Sequence, residues 1–297
     1  MKLARRFLVH GVFWRQFLRW AVINVPIWIE PAILGFWSAL FLMWEPGRRA
    51  VMHNLRAIKP HSWPLANFFR VYRVLWNFAW TIADNVRHHE DDMIPDWEFT
   101  GIEHFDALQS RDGGAIILTA HMGSYDVGAQ LFAKYSQKKI VMVRAPEIDP
   151  ETRKYEEAHL NDEVRVSFNT AASDLAFDLL SALQNGNVVA IQGDRVTPGV
   201  AFVETTLFGK TARVPAGPFA LAMAARAPIF PLFVIRLGRR KYRLLTCPPI
   251  EVMRTSRDRD ADIARGVEQW SRALESTIRD AWHQWFAFEP FYMENAA

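Results

Sequence analysis

The residues best suited to do chemistry lie in residues 119–128, which read TAHMGSYDVG. His121 directly follows an apolar run, residues 115–120, that is typical of a buried β-strand. Asp126 comes five positions later, near the start of a helix that Ser124 is expected to cap. An imidazole beside a carboxylate can act as a general base, because the carboxylate fixes the tautomer and stabilises the imidazolium. The stretch therefore predicts proton abstraction from a hydroxyl group by His121, with Asp126 as its orienting partner.

A structural interpretation competes with this one, because a lone histidine at a strand end usually makes a structural hydrogen bond. Asp126 would then lie on an exposed helix surface. Residues 88–92 (HHEDD) contain possible metal ligands, but their irregular spacing favours a solvated turn after a helix, and we expect no metal site. A phosphate-binding glycine loop and a G-x-S-x-G nucleophile elbow are both missing from the sequence. Cys247 is the only cysteine, so an intramolecular disulfide is excluded.

The elements around the histidine predict an α/β fold. We expect strands at residues 115–120, 139–144, 164–168, 187–194, 229–237 and 242–246, and helices at 124–135, 150–161, 173–184, 215–225 and 261–286. Continuous apolar strands that alternate with helices favour a mostly parallel central sheet covered by helices on both faces. In such sheets functional residues lie at the carboxyl ends of strands, where His121 and Asp194 are both expected.

Basic residues near the second of these strand ends are candidates for binding an anion. Arg195 follows Asp194, and it could bind a phosphate or form an internal ion pair with Asp194. Lys210 and Arg213 flank a Phe-Gly turn and could serve the same purpose. We assign Gly209, the glycine of that turn, mainly to turn geometry.

The first sixty residues suggest contact with a membrane. The chain is slightly basic, with a net charge of +3, and many of its 12 Trp and 21 Phe residues lie near its two ends. Residues 20–44 are numerous enough to span a bilayer, but Asn24, Pro26, Glu30 and Pro31 interrupt them. Arginine and lysine on both sides favour a helix that dips into one leaflet or lies on it. A true span and a helical hairpin buried in the protein's own core remain alternatives.

We therefore expect two parts, an N-terminal membrane-associating helical segment at residues 1–60 and an α/β domain at residues 61–297. An apolar helix is predicted from residue 62 to about 87. The basic residues are spread along the chain and no nucleic-acid-binding motif is present, so nucleic acid is not an expected partner.

The residues quoted above also resemble a known family. His121 and Asp126 form the H-x4-D motif of the lysophospholipid acyltransferase superfamily, and their context is similar to its lipid A biosynthesis branch, the lauroyl and myristoyl transferases. Residues 48–55 (RRAVMHNL), 192–195 (QGDR) and 207–222 (LFGKTARVPAGPFALA) are similar to this branch as well, so the resemblance covers roughly residues 13–291.

Two departures from the pattern bear on the substrate. The FPEGTR-type phosphate-binding block of glycerophosphate acyltransferases is absent, which disfavours a phosphatidic acid synthase. The C-terminal residues 282–293 (WHQWFAFEPFYM) differ from the arginine-rich ending of the lipid A enzymes, which affects the expected acceptor but not the expected reaction.

The resemblance implies an acyltransferase at the cytoplasmic face of a bacterial inner membrane. It would move a fatty acyl chain from a thioester, acyl carrier protein or coenzyme A, to a hydroxyl or amine of a lipid or glycolipid, without a metal or bound cofactor. Asp194 and Gly209 are candidate substrate-binding residues. An acidic carrier protein would dock on basic side chains near the site: Arg144, Arg195, Lys210 and Arg213. Two alternatives are a non-catalytic lipid-binding protein of the same fold and a thioesterase or lipid hydrolase that uses water.

Overall fold

The computed structural model describes residues 12–90, 95–136, 138–144, 164–168, 174–197 and 199–292. Its helices are α1 (Val12–Asn24), α2 (Glu30–Phe41), α3 (Glu45–Ile58), α4 (Pro64–Glu90), α5 (Ile102–Ser110), α6 (Tyr125–Tyr135), α7 (Asp174–Gln184), α8 (Gly217–Ala225) and α9 (Arg259–Ala281). Its strands are β1 (Asp96–Thr100), β2 (Ala115–Thr119), β3 (Ile140–Arg144), β4 (Val164–Phe168), β5 (Val188–Gln192), β6 (Phe202–Leu207), β7 (Lys210–Pro215), β8 (Ile229–Gly238) and β9 (Lys241–Thr246).

Seven of these strands form one central sheet in the order β1-β9-β8-β2-β5-β3-β4. Strands β8, β2, β5, β3 and β4 are parallel to one another, whereas β9 is antiparallel to β8 and β1 runs with β9. Strands β6 and β7 form a separate antiparallel hairpin. The predicted mostly parallel sheet is therefore confirmed, with two reversed strands at one edge.

Helices cover both faces of the sheet, as the apolar strands required. Successive side chains of β2 point to opposite faces. Ile116 and Leu118 pack into a core with Phe219 of α8 and Trp270 of α9, whereas Ile117 faces α5 and α6. Because both faces are buried, β2 reads as a continuous apolar run rather than as an alternating one.

The N-terminal helices form a layer around α4, against which α1, α2 and α3 all pack. Glu30, which interrupts the apolar N-terminal run, is buried and lies 2.5 Å from the guanidinium of Arg87 on α4. In the described part of the chain, no helix is long and apolar enough to cross a membrane. The division of the chain at residue 60 stays a prediction, since α4 continues the helical layer to residue 90.

Most of the predicted strands and helices of the α/β region are present, with ends shifted by a few residues. The largest difference is at the last predicted helix. It begins at Arg259, capped by Asp258, and ends at Ala281 instead of residue 286. A short 3₁₀ turn and extended residues follow it. The predicted helix at residues 150–161 and the end of the HHEDD segment lie outside the described residues.

Candidate active site

His121 and Asp194 meet where two neighbouring parallel strands end. Strands β2 and β5 pair in register, so the residues that follow them lie side by side at one edge of the sheet. Nδ1 of His121 lies 2.7 Å from Oδ1 of Asp194. An ionised carboxylate only accepts hydrogen bonds, so this contact places the proton on Nδ1 and leaves Nε2 as the free nitrogen. The imidazole is therefore oriented as a general base requires.

Asp194 is buried and held by three donors. The backbone N–H of His121 donates to both carboxylate oxygens at 3.0 Å, and Nε1 of Trp285 donates to Oδ2 at 2.9 Å. Burial alone would raise the pKa of Asp194, but its interaction with the His121 ring and these hydrogen bonds hold that pKa below its usual range. Asp194 is thus a fixed negative charge behind the imidazole.

The turn that carries His121 is fixed through its backbone. The N–H of Gly123 donates to the carbonyl of Gln284, and the N–H of Ser124 donates to the carbonyl of Val234 on β8. Gly123 has a φ of +57°, and a Cβ at this position would lie 1.7 Å from the Val234 oxygen. Only glycine fits both the left-handed backbone and the close approach. The glycine in TAHMGSYDVG thus lets the chain turn sharply from strand into helix α6.

The segment after α9 closes the site from the C-terminal side. The N–H of Phe286 donates to the carbonyl of His121 at 2.7 Å. Asn54 of α3 is buried and binds this segment through three backbone groups, donating to the carbonyls of Ala287 and Glu289 and accepting from the N–H of Phe291. Residues from distant parts of the described chain therefore hold the His121 turn in place.

A cavity of about 270 Å³ extends from His121 between the sheet and helices α5 and α6. Its walls far from the histidine are apolar and include Phe105, Ile117, Phe132 and Leu244. Its polar lining is concentrated on five side chains: Thr119, His121, Tyr125, Arg144 and Gln192. The cavity is therefore suited to an apolar chain whose reactive end is polar.

Asp126 lies in the first turn of α6, and its carboxylate contacts Arg144 rather than the Nδ1 position of His121. Oδ1 of Asp126 is 2.5 Å from the guanidinium of Arg144, and Oδ2 accepts a 3.3 Å hydrogen bond from Asn85 of α4. The orienting contact that the sequence predicts for Asp126 is made by Asp194 instead. A three-residue turn separates His121 from α6, so the first helical turn carries Asp126 toward the end of β3 instead.

The chain matches the family model described as bacterial lipid A biosynthesis acyltransferase over residues 6–292. It belongs to this family. The match supports the resemblance drawn from the H-x4-D motif and covers both the helical layer and the sheet. The comparison with curated proteins gives no match.

The other residues that the sequence predicts to bind substrate lie in two places, near Tyr125 and on the β6–β7 hairpin. Arg195 is half-buried and close enough to Tyr125 for its charge to act on that phenol. Lys210, Gly209 and Arg213 lie on the β6–β7 hairpin and are not among the described residues that line the cavity. Arg213 is 3.3 Å from Glu204 and 4.2 Å from the ring centre of Phe202.

Arg195 could have formed an ion pair with Asp194, but this pair is not present among the described residues. The oxygens of Asp194 are occupied by His121 and Trp285 instead. Of the predicted residues, the structure thus brings His121, Asp194 and Arg144 to one site, with Asp126 behind Arg144.

The contacts of Trp285 and Asn54 are not predicted by the sequence. Asn54 belongs to the RRAVMHNL segment, and Trp285 belongs to the aromatic C-terminal segment. Their contacts join positions 91 and more than 230 residues apart, which local patterns do not reveal. For the contact between His121 and Asp194, the available signal was the position of Asp194 at the end of a predicted strand. Strand β5 pairs with β2, so this carboxylate lies next to His121.

Proposed function

We propose that this protein transfers a fatty acyl chain from a thioester donor to a hydroxyl or amine of a lipid acceptor, with His121 as general base. The observation that carries this proposal is the 2.7 Å contact between Nδ1 of His121 and the buried Asp194, at the polar end of an apolar cavity. This arrangement pairs a base with a place for an acyl chain. Membership of the acyltransferase family supports the same reaction.

In this reaction Nε2 of His121 removes the proton from the acceptor group, which attacks the thioester carbonyl carbon. The C–S bond then breaks, and the imidazolium returns the proton to the leaving thiolate. Asp194 stabilises the imidazolium while it exists, as the carboxylate of a triad does. The developing oxyanion needs donors, and the backbone N–H groups in the first turn of α6 are candidates, since those of Gly123 and Ser124 already bind the carbonyls of Gln284 and Val234.

Arg144 has the chemistry to bind an anionic group at the cavity mouth. It lines the cavity with His121, and Asp126 fixes its guanidinium. A fixed guanidinium binds phosphate with less loss of side-chain freedom than a mobile one. We assign Arg144 and Arg195 to the phosphate of the donor's pantetheine arm or of the lipid acceptor. Asp126 then acts as a positioning residue for Arg144.

The N-terminal layer supports association with the membrane in which a lipid acceptor resides. Its exposed large apolar side chains include Phe17, Trp20, Ile23, Ile27, Trp28, Phe36, Leu40, Met43, Trp63, Leu65, Phe68 and Phe69. Helices α1 and α2 both pack against α4, so these side chains belong to one helical unit. Exposed tryptophan, phenylalanine and leucine side chains on a basic helical unit suit a lipid surface. We propose that this unit lies on the cytoplasmic leaflet of the bacterial inner membrane.

The direct test supplies the purified protein with acyl-acyl carrier protein and a lipid A precursor, and identifies products by mass spectrometry. We expect an acylated lipid whose formation depends on His121, so the His121→Ala variant should form none. His104→Ala is the matched control, because the side chain of His104 is 25% exposed and that of His121 is 24% exposed.

The same reaction without lipid separates transfer from hydrolysis. Release of free fatty acid at an equal rate with and without lipid would replace the proposal by a thioesterase. A folded His121→Ala variant that acylates the lipid at the normal rate would refute the mechanism. Repeating the assay with acyl-coenzyme A identifies the preferred donor.

A further inference from the structure

Two polar atoms in the cavity have no hydrogen-bond partner among the described residues: Oγ1 of Thr119 and Nε2 of Gln192. Thr119 is 8% exposed, and the amide nitrogen of Gln192 is buried. An unpaired buried donor or acceptor is costly, so such groups are normally satisfied by protein, water or ligand. Their location points to a ligand.

The two side chains lie side by side just inside the cavity from His121. Thr119 and Gln192 are register partners on β2 and β5, so their side chains point to the same face of the sheet, and both line the cavity. Thr119 is two residues before His121, about 6.7 Å along the strand. The next pair inward on this face, Ile117 and Ala190, is apolar. The polar pair therefore lies between the base and the apolar end.

The two atoms complement a single hydroxyl group. Nε2 of Gln192 can only donate, whereas the hydroxyl of Thr119 can donate or accept. A ligand hydroxyl could accept from Gln192 and donate to Thr119 in one position.

Resting on the proposed acyl transfer, we infer that the preferred donor carries a hydroxyl group within the first few carbons of its acyl chain. An acyl chain with its carbonyl at His121 passes Thr119 and Gln192 before it reaches the apolar walls. A hydroxyl at this depth satisfies both unpaired atoms, whereas an unsubstituted chain covers them and leaves them unpaired. Sites built to bind a hydroxyl discriminate strongly against the analogue that lacks it.

The experiment compares kcat/KM for three acyl carrier protein donors of equal chain length: 3-hydroxyacyl, 2-hydroxyacyl and unsubstituted. We expect one hydroxylated donor to exceed the unsubstituted donor by at least about tenfold, the effect of one to two hydrogen bonds. Thr119→Val keeps the shape and removes the hydroxyl, so it should reduce this ratio toward one. Thr246→Val is the matched control, because Oγ1 of Thr246 is likewise buried and unpaired but Thr246 does not line the cavity.

The outcomes separate this inference from the proposed function. Transfer from all three donors with equal kcat/KM would overturn the inference and leave the reaction standing, and the polar pair would then hold only water. Equal loss of kcat for all donors in Gln192→Leu would also overturn it, by assigning Gln192 to the oxyanion. Absence of transfer from every donor would refute the proposed function itself. Melting temperatures confirm that each variant is folded.

Discussion

Replacing Asp194 with Asn tests which carboxylate serves His121. The substitution keeps the side-chain size but removes the charge that lies 2.7 Å from Nδ1. The amide also changes the hydrogen bonding. Trp285 and the His121 backbone both donate to this side chain, so its oxygen must face donors and its NH₂ group must face Nδ1. The proton of the imidazole then moves to Nε2, the nitrogen that must act as base.

The structure sets the size of the expected effect. A unit charge at 2.7 Å interacts with an imidazolium by about 6 kcal/mol at an effective dielectric constant of 20. This value is an upper bound, because the carboxylate also stabilises the neutral ring by its hydrogen bond. At 1.36 kcal/mol for each factor of ten, it corresponds to about 10⁴ in rate. A triad that loses its carboxylate charge in the same way falls by a similar factor. We expect kcat to fall by about 10³–10⁴ in Asp194→Asn.

Two further variants grade the effect. Trp285→Phe removes one donor to the carboxylate and leaves the charge, so kcat should fall only about tenfold. Asp126→Asn weakens the hold on Arg144 and should act mainly by raising KM, by about 10–100-fold. The assay is steady-state transfer from acyl carrier protein to lipid, with a thermal melt of each variant. The orienting role would belong to Asp126 if the folded Asp194→Asn variant kept more than a tenth of kcat while kcat of Asp126→Asn fell about 10³-fold.

Three other predictions concern the surroundings of the site. Asn54→Ala should lower the free energy of unfolding by about 2–4 kcal/mol, because three hydrogen bonds to the C-terminal segment are lost. Chemical denaturation measures this change. The control Asn77→Ala, which removes one exposed hydrogen bond within a helix, should change the free energy of unfolding little. Burial and a neighbouring arginine lower the pKa of His283 to about 4. The contribution of this neutral side chain to stability should therefore be complete above about pH 6.5 and decrease as the pH falls toward about 4. His283→Leu should flatten this dependence of Tm on pH, and an unchanged slope would contradict the prediction. Trp28→Ser should weaken sedimentation with anionic vesicles more than Phe177→Ser does, although the two residues are 77% and 71% exposed; equal losses would argue against the N-terminal layer as the membrane surface.

The sequence predicted the sheet well because its strands are buried on both faces and read as continuous apolar runs. It missed β1, whose sequence DWEFT is half-exposed at the sheet edge. It also missed the β6–β7 hairpin, whose strands FVETTL and KTARVP mix charged, polar and apolar residues. It also extended the last helix through Trp285, since nothing local marks the point at which the chain leaves α9 to pair with the His121 turn. The missing information in that case is a tertiary contact.

The sequence predicted His121 as a member of the candidate site, but it did not predict that Asp194 is the carboxylate partner of His121. Spacing along the chain favoured Asp126, because a five-residue separation suggests proximity. Pairing of β2 with β5 brings Asp194 closer, although it is 73 residues away in sequence. Parallel strands place residues together according to sheet order, and sheet order is set by packing that a single sequence does not display.

The clamp between Asn54 and the C-terminal segment has a consequence for the order of events during synthesis. The N-terminal helices leave the ribosome before the strands and can reach a lipid surface while the sheet is still incomplete. Trp285, Phe286 and the carbonyls bound by Asn54 emerge only after the described strands and helices. Asp194 therefore gains its last donor, and the His121 turn its last backbone bond, only after the described strands and helices have been synthesised. If the N-terminal layer binds a lipid surface as proposed, it is available to do so before the His121 turn is complete.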